Sequence, residues 1–200
     1  MISTLFGDNH IQNGMALDDY LRLGDDERHE IINGKLLTQP KASPFIHSAV
    51  LQKLFIALYD YATQNNLGDV YQHANFIATK PDDRHWVTMG REPDLLFYAT
   101  GRLADYIANT PDSGSRPIEL IPDFIIEVLS TTDFYVDIEA KLMNDFQYGV
   151  KQAWLINPFH RTAQIHTADS TTVQRFHLTG HLTAPSILPN FNLNLADVWV

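Results

Sequence analysis

The chain has 200 residues, 44% hydrophobic and 11% aromatic. That is enough for one domain with a sizeable core, and it excludes a disordered linker. Acids outnumber bases 24 to 14, for a formal net charge of −10, which argues against a nucleic-acid partner because phosphate binding normally draws on a basic stripe. The chain contains no cysteine, which excludes a disulfide framework, thiol catalysis and thiolate zinc sites and agrees with a cytoplasmic location.

The first residues show neither the basic nor the apolar region of a secretory signal, and no apolar run is long enough to span a bilayer, so no membrane association is expected. Residues 1–14 read as a polar arm and 15–200 as a single domain. Leu17, Tyr20, Leu21 and Leu23 fall at helical spacing and predict a short amphipathic helix over 15–23. Residues 28–38 predict a hairpin turning at Asn33-Gly34, because both central residues of a type I′ turn need positive φ. After a loop at 41–44, Ser43-Pro44 starts a helix over 45–65 with Ile46, Val50, Leu54, Ala57, Leu58 and Tyr61 on one face.

A strand block follows, with one strand over 69–79, one or two over 86–98, and Pro81-Asp82-Asp83 between them. Residues 101–108 read as a short helix and 109–117 as a surface loop. Phe124-Ile-Ile-Glu-Val-Leu129 is a nearly all-apolar run, as in a central strand covered on both faces. Residues 133–148 are expected to be helical, capped by Asp133 or Thr132. Residues 152–156 form a buried strand, 161–179 alternate like a hairpin, and 188–200 close the chain. The order predicts an α/β or α+β fold with a mixed sheet.

Two carboxylates sit in costly surroundings. Asp94 precedes Leu-Leu-Phe-Tyr, and Glu127 lies inside the apolar run at 124–129. Buried carboxylates must be paired, protonated or metal-bound. The alternative is that each ends a strand and meets solvent or a surface arginine. On the following helix Asp137, Lys141 and Tyr148 share a face, either as an ordinary i,i+4 ion pair or as a face brought over the two carboxylates. In the second arrangement Asp94 and Glu127 are hard oxygen ligands suited to Mg²⁺ or Mn²⁺, and Lys141 steadies an attacking water. Glu30 on the hairpin is the candidate for a third acidic group. Arg84 and Arg91 could contact phosphates, although isolated surface arginines are usually solvated, and His73 has no partner at ligand spacing.

Pro93-Asp94, Glu127 and Lys141 resemble the nuclease motif P-D-(D/E)-x-K. More closely, an ordered set resembles the Uma family of restriction-endonuclease-like proteins. It comprises His-Glu-Ile-Ile-Asn-Gly-Lys-Leu (29–36), Ser-Pro-Phe-Ile-His (43–47), Glu-Pro-Asp-Leu-Leu-Phe (92–97), Pro-Asp-Phe-Ile-Ile-Glu-Val-Leu-Ser (122–130), Asp137, Lys141, Tyr148 and the closing Val198-Trp199. The resemblance implies a restriction-endonuclease-like α-β-β-β-α-β core with an N-terminal helix-hairpin and a C-terminal β extension. It implies Asp94 and Glu127 as metal ligands, with the lysine displaced from position 129, here Leu, to Lys141. Glu30 and His47 match further family positions, with His47, Asp137 and Tyr148 standing behind the ligands or against the substrate. The chain departs from the family at Asn33, where Asp is usual, and at Thr131-Thr132, where Pro-Ser is usual.

The expected activity is metal-dependent hydrolysis of DNA, with a homodimer plausible by analogy with two-strand cutters. Two rivals remain: a nuclease-fold module that binds without cutting, and a metal-dependent hydrolase of a small phosphorylated metabolite.

Overall fold

The computed structural model describes residues 13–24, 26–40, 44–131 and 133–200. Most of the polar arm, the loop at 41–43 with Ser43, and the candidate cap Thr132 lie outside the described residues. The elements in order are β1 (Met15–Ala16), α1 (Leu17–Tyr20), β2 (Glu27–Ile32), β3 (Lys35–Pro40), α2 (Phe45–Gln64), β4 (Gly68–Gln72), β5 (Phe76–Lys80), β6 (Asp83–Arg91) and β7 (Leu95–Ala99). Then come α3 (Arg102–Asn109), β8 (Phe124–Val128), α4 (Tyr135–Tyr148), β9 (Gln152–Asn157), β10 (Thr162–Thr167), β11 (Gln174–His177), β12 (His181–Ala184) and β13 (Leu188–Asn194). Among the described residues, no helix is long and apolar enough to cross a membrane.

The hairpin forms as its turn chemistry requires: Asn33 and Gly34 have φ of 50° and 72°, and Ile32 faces Lys35 across the turn. The expected helix over 15–23 shrinks to the single turn α1. Met15 and Ala16 are extended instead and pair with Val87 and Trp86 of β6. Leu17 and Tyr20 still bury their side chains, against Ile31, Ile77 and Val87.

The strand expected over 69–79 divides into β4 and β5, which join different sheets. The break falls at His73, with φ of 48°, a left-handed conformation that no strand continues through. A second break separates β6 from β7 at Glu92-Pro93-Asp94, where proline has no N–H to give a ladder.

The central sheet runs β11-β10-β9-β8-β7-β4. β8 is parallel to β9 and antiparallel to β7. A five-stranded sheet runs β1-β6-β2-β3, with β5 also on β6, and β12 pairs with β13. Thus α2, then β4, β7 and β8, then α4 and β9 trace the expected α-β-β-β-α-β order, with β5, β6 and α3 inserted. β10 to β13 form the C-terminal β extension.

The central strands are buried on both faces. Phe124, Ile126 and Val128 pack with Val50, Leu54 and Leu58 of α2 and with Leu188 and Phe191. Ile125 packs with Ile138 and Leu142 of α4 on the opposite side. Alternation along β8 therefore turns Glu127 toward the α4 layer. The buried stripe of α2 also takes in His47, Leu51 and Ala62, rotated slightly from the expected face.

Candidate active site

Alternate residues of β2 point the same way, so Arg28 and Glu30 leave the hairpin on one face. Glu30 is buried and paired with Arg91 Nη1, and its second oxygen lies 2.6 Å from Lys141 Nζ. Lys141 also donates to Gln39 Oε1 at 3.1 Å. Arg91, the last residue of β6, is 0% exposed. Its Nη2 donates to Glu127 Oε1 at 2.7 Å and to Asp145 Oδ2 at 3.0 Å, and its Nε donates to Asp145 Oδ1 at 2.9 Å. One guanidinium thus joins three carboxylates from β2, β8 and α4, with Lys141 beside them.

Asp94 lies next to this cluster and is tied to it through the backbone. Val128, the residue after Glu127, donates its N–H to Asp94 Oδ2 at 2.7 Å. His47 Nε2 lies 3.3 Å from the same oxygen, and Arg28 Nη2 donates to Oδ1 at 3.1 Å. His73 Nδ1 lies 3.8 Å from Oδ1 and 3.4 Å from Arg28 Nη2. The left-handed residue that ends β4 thereby brings an imidazole to the site.

Burial pushes the Asp94 carboxyl up, but the His47 hydrogen bond and the Arg28 charge outweigh it and hold the pKa below the ordinary value. Burial lowers the His47 pKa, yet the bond to Asp94 and its charge raise it overall. Burial draws the Lys141 ammonium down, with Glu127 opposing and Arg91 adding to the fall. Burial works against the Arg91 charge, but Asp145 and Glu127 raise its pKa. Burial raises Asp145 despite Arg91.

The structure therefore brings Glu30, Glu127 and Lys141 together around Arg91, with Asp94 and His47 adjoining. Asp137 stands in the first turn of α4 without an ion pair to Lys141. Tyr148 donates to Thr88 Oγ1 at 3.1 Å, at the far end of α4.

Arg91 was expected in solvent and is completely enclosed, whereas Arg84 is exposed and pairs with Glu119. The signal for Arg91 lay in strand alternation: Val87, Met89 and Arg91 share one face, and the first two are core residues. Asp145 sits three and seven residues after the buried Leu142 and Ile138, on the helix stripe that faces inward. Asp94 gains two further partners, Arg28 and His73, from loop and hairpin positions that no periodicity marks.

Asp94, just before β7, and Glu127 on the neighbouring β8 offer hard oxygen donors. Glu127 Oε2 accepts no hydrogen bond among the described residues. Among those residues no three His, Asp or Glu side chains converge as a complete ligand set. The donor chemistry fits a small divalent ion held by two carboxylates, with water filling its remaining positions.

A family described as "Putative restriction endonuclease", Uma2, matches residues 17–196. A crystal structure from Anabaena variabilis, described as "a putative nuclease belonging to DUF820", has a TM-score of 0.73 to this fold at 17% identity, covering 92% of this chain and 97% of that one. At that identity the likeness is one of fold. A comparison with curated proteins finds no match. The resemblance carried by the ordered motifs holds across nearly the whole chain.

Proposed function

The chain belongs to the Uma2 family, and from that premise we propose that it is a divalent-metal-dependent endonuclease hydrolysing phosphodiester bonds of DNA. One observation carries the reading: Glu30, Glu127 and Lys141, from three separate elements, meet around Arg91 beside the Asp94 that accepts the Val128 N–H.

In this reading Asp94 and Glu127 would hold Mg²⁺ or Mn²⁺. When bound, the ion polarises a phosphate oxygen and lowers the pKa of a water it carries. The chain's own groups do the rest. His47 and Arg28 keep Asp94 ionised. Arg91 Nη2 fixes Glu127 through Oε1 and leaves Oε2 unspent. Lys141 Nζ orients the attacking water and offsets negative charge that develops on phosphorus oxygens in the transition state. Glu30 holds that ammonium in place. Asp137 and Tyr148 take outer, supporting positions on α4.

Supercoiled plasmid and single-stranded DNA, incubated with Mg²⁺ or Mn²⁺, test the reading. The wild type should cut, and Asp94→Ala should lose at least a hundredfold in rate. An inert wild type, or equal rates for both proteins, overturns it. The reading also carries a homodimer, one site per strand, and a cytoplasmic location. Sedimentation equilibrium showing only monomer at micromolar protein would remove the dimer.

A second reading has its own observation. Arg28 and Arg91 already neutralise Asp94 and Glu127, a balance that needs no metal. It describes a nuclease-fold module that binds without cutting. Calorimetry separates the two: Mn²⁺ binding lost in the Asp94→Ala/Glu127→Ala double variant counts against the second.

A further inference from the structure

Beside the carboxylate cluster lies a second polar concavity. A cavity of about 140 Å³ opens beside α1 and β2, its walls including Tyr20, Leu23, His29, Asn75, Glu92 and Pro117. Glu92 gives its backbone N–H to Glu30 Oε1 at 3.2 Å. Its side chain, on a residue only 7% exposed, has no hydrogen bond or ion pair among the described residues. The carboxylate oxygens open onto the cavity, where a ligand with N–H donors can pair with them.

The Tyr20 hydroxyl stands in the same wall against Gly90, where an added Cβ would come within 3.1 Å of it. It too makes no hydrogen bond among the described residues. Burial, with the Glu92 charge adding, pushes this hydroxyl up to about 12, so it stays protonated and able to donate. Glu92 precedes Asp94 by two residues, so the cavity reaches within roughly 7 Å of the Asp94 backbone.

We propose that this cavity receives an unpaired guanine, whose parallel N1–H and N2–H donors pair with the two oxygens of Glu92. Among the DNA bases only guanine sets two adjacent N–H donors on its Watson–Crick edge. Two parallel N–H groups match a carboxylate as a guanidinium does. Adenine and cytosine set an amine beside a ring-nitrogen acceptor, which would face the second carboxylate oxygen and repel it. The major-groove edge of a paired guanine offers only acceptors, so the base must be unpaired or extruded. A cavity of about 150 Å³ holds one benzene ring, so this one, open to solvent, admits the Watson–Crick edge of a single base and leaves the rest of the purine at the mouth. Leu23 and Pro117 supply apolar walls, and the Tyr20 hydroxyl is a donor for guanine O6.

The proposal rests on the nuclease reading for nucleic acid as the ligand, and its test is independent of cleavage. Deoxyguanosine, deoxyinosine and deoxyadenosine are titrated into the full chain in EDTA, with affinity read by NMR. Deoxyinosine keeps N1–H and lacks the N2 amine. Deoxyguanosine should bind at least tenfold more tightly than either of the others. Glu92→Gln should reduce it to the deoxyadenosine level with an unchanged Tm. Equal affinities within threefold, or a guanine preference that survives Glu92→Gln, overturn the proposal. Should Glu92→Gln fail to fold, Asn75→Trp on the exposed rim fills the mouth and leaves the carboxylate, and persistence of the preference in that variant also overturns it. A guanine preference in a protein that never cuts removes the nuclease reading and leaves the cavity. Cutting without the preference does the reverse.

Discussion

Arg91 concentrates the chemistry of the site in one side chain. Its guanidinium is withdrawn from water, and three carboxylates share its charge. Truncation leaves those carboxylates buried and uncompensated, so Arg91→Met should cost about 3–5 kcal/mol in urea denaturation. Adding Asp145→Leu removes one orphaned charge and restores apolar packing, so the double variant should recover part of that loss. A double variant less stable than the single would contradict this account. Asp123 gives a second prediction at this scale. Burial raises its pKa, but hydrogen bonds from Lys151, the Ala99 N–H and Arg102 lower it overall. A carboxyl depressed in the folded state stabilises fully above its unfolded pKa of about 3.9 and loses that contribution as pH falls through the folded value. The stability difference between wild type and Asp123→Asn should therefore be full at pH 7 and shrink below about pH 4. A difference that grows on acidification reverses the sign and refutes the assignment.

At the scale of elements, α4 matters most because it delivers Lys141 and Asp145 from one stripe while Ile138 and Leu142 of the same stripe fix it on the sheet. The helix stops at Gly149, with φ of 112° and open space around a hypothetical Cβ. The effect of Gly149→Ala is then purely one of backbone conformation, about 1 kcal/mol of destabilisation. Thermal unfolding should show a fall in Tm of a few degrees, and an unchanged or raised Tm would mean the helix end relaxes freely. On the other face, α2 rests on the sheet through Val50, Leu54 and Leu58. Leu54 is completely buried, so Leu54→Ala should cost about 2–5 kcal/mol by chemical denaturation, and a loss below 1 kcal/mol would show that the helix–sheet layer collapses to fill the gap.

Across the whole molecule the net charge of −10 opposes a polyanion. Much of it lies away from the C-terminal part: residues 1–30 hold seven acids and two bases, while 151–200 hold two acids and three bases. Within the site, Arg28, Arg91 and Lys141 stand among Glu30, Glu92, Asp94, Glu127 and Asp145, a local excess of acid that a divalent ion would offset. DNA affinity should therefore be weak in EDTA and rise at least tenfold with Mn²⁺, read by fluorescence anisotropy at fixed salt. Its salt slope should be shallow, since few phosphates meet basic side chains. Tight binding in EDTA with a steep slope would point instead to a basic surface elsewhere.

What the sequence determined by itself was local or periodic. Asn33-Gly34 required a tight turn, the 3.6-residue repeat over 45–65 required a helix, and the apolar run at 124–129 required an enclosed strand. Charge inside that strand marked Glu127, and the ordered motifs marked Asp94, Lys141 and Glu30. Tertiary structure alone decided that β4 and β5 lie in different sheets, because one left-handed residue, His73, redirects the chain there. It alone decided which charges neutralise which. Residues 28 and 94, or 30, 91, 127 and 145, are far apart along the chain, and their pairing depends on how two sheets and a helix close over water-free space. In that space a charge cannot remain unpaired, so Arg91 ends at the centre of the cluster.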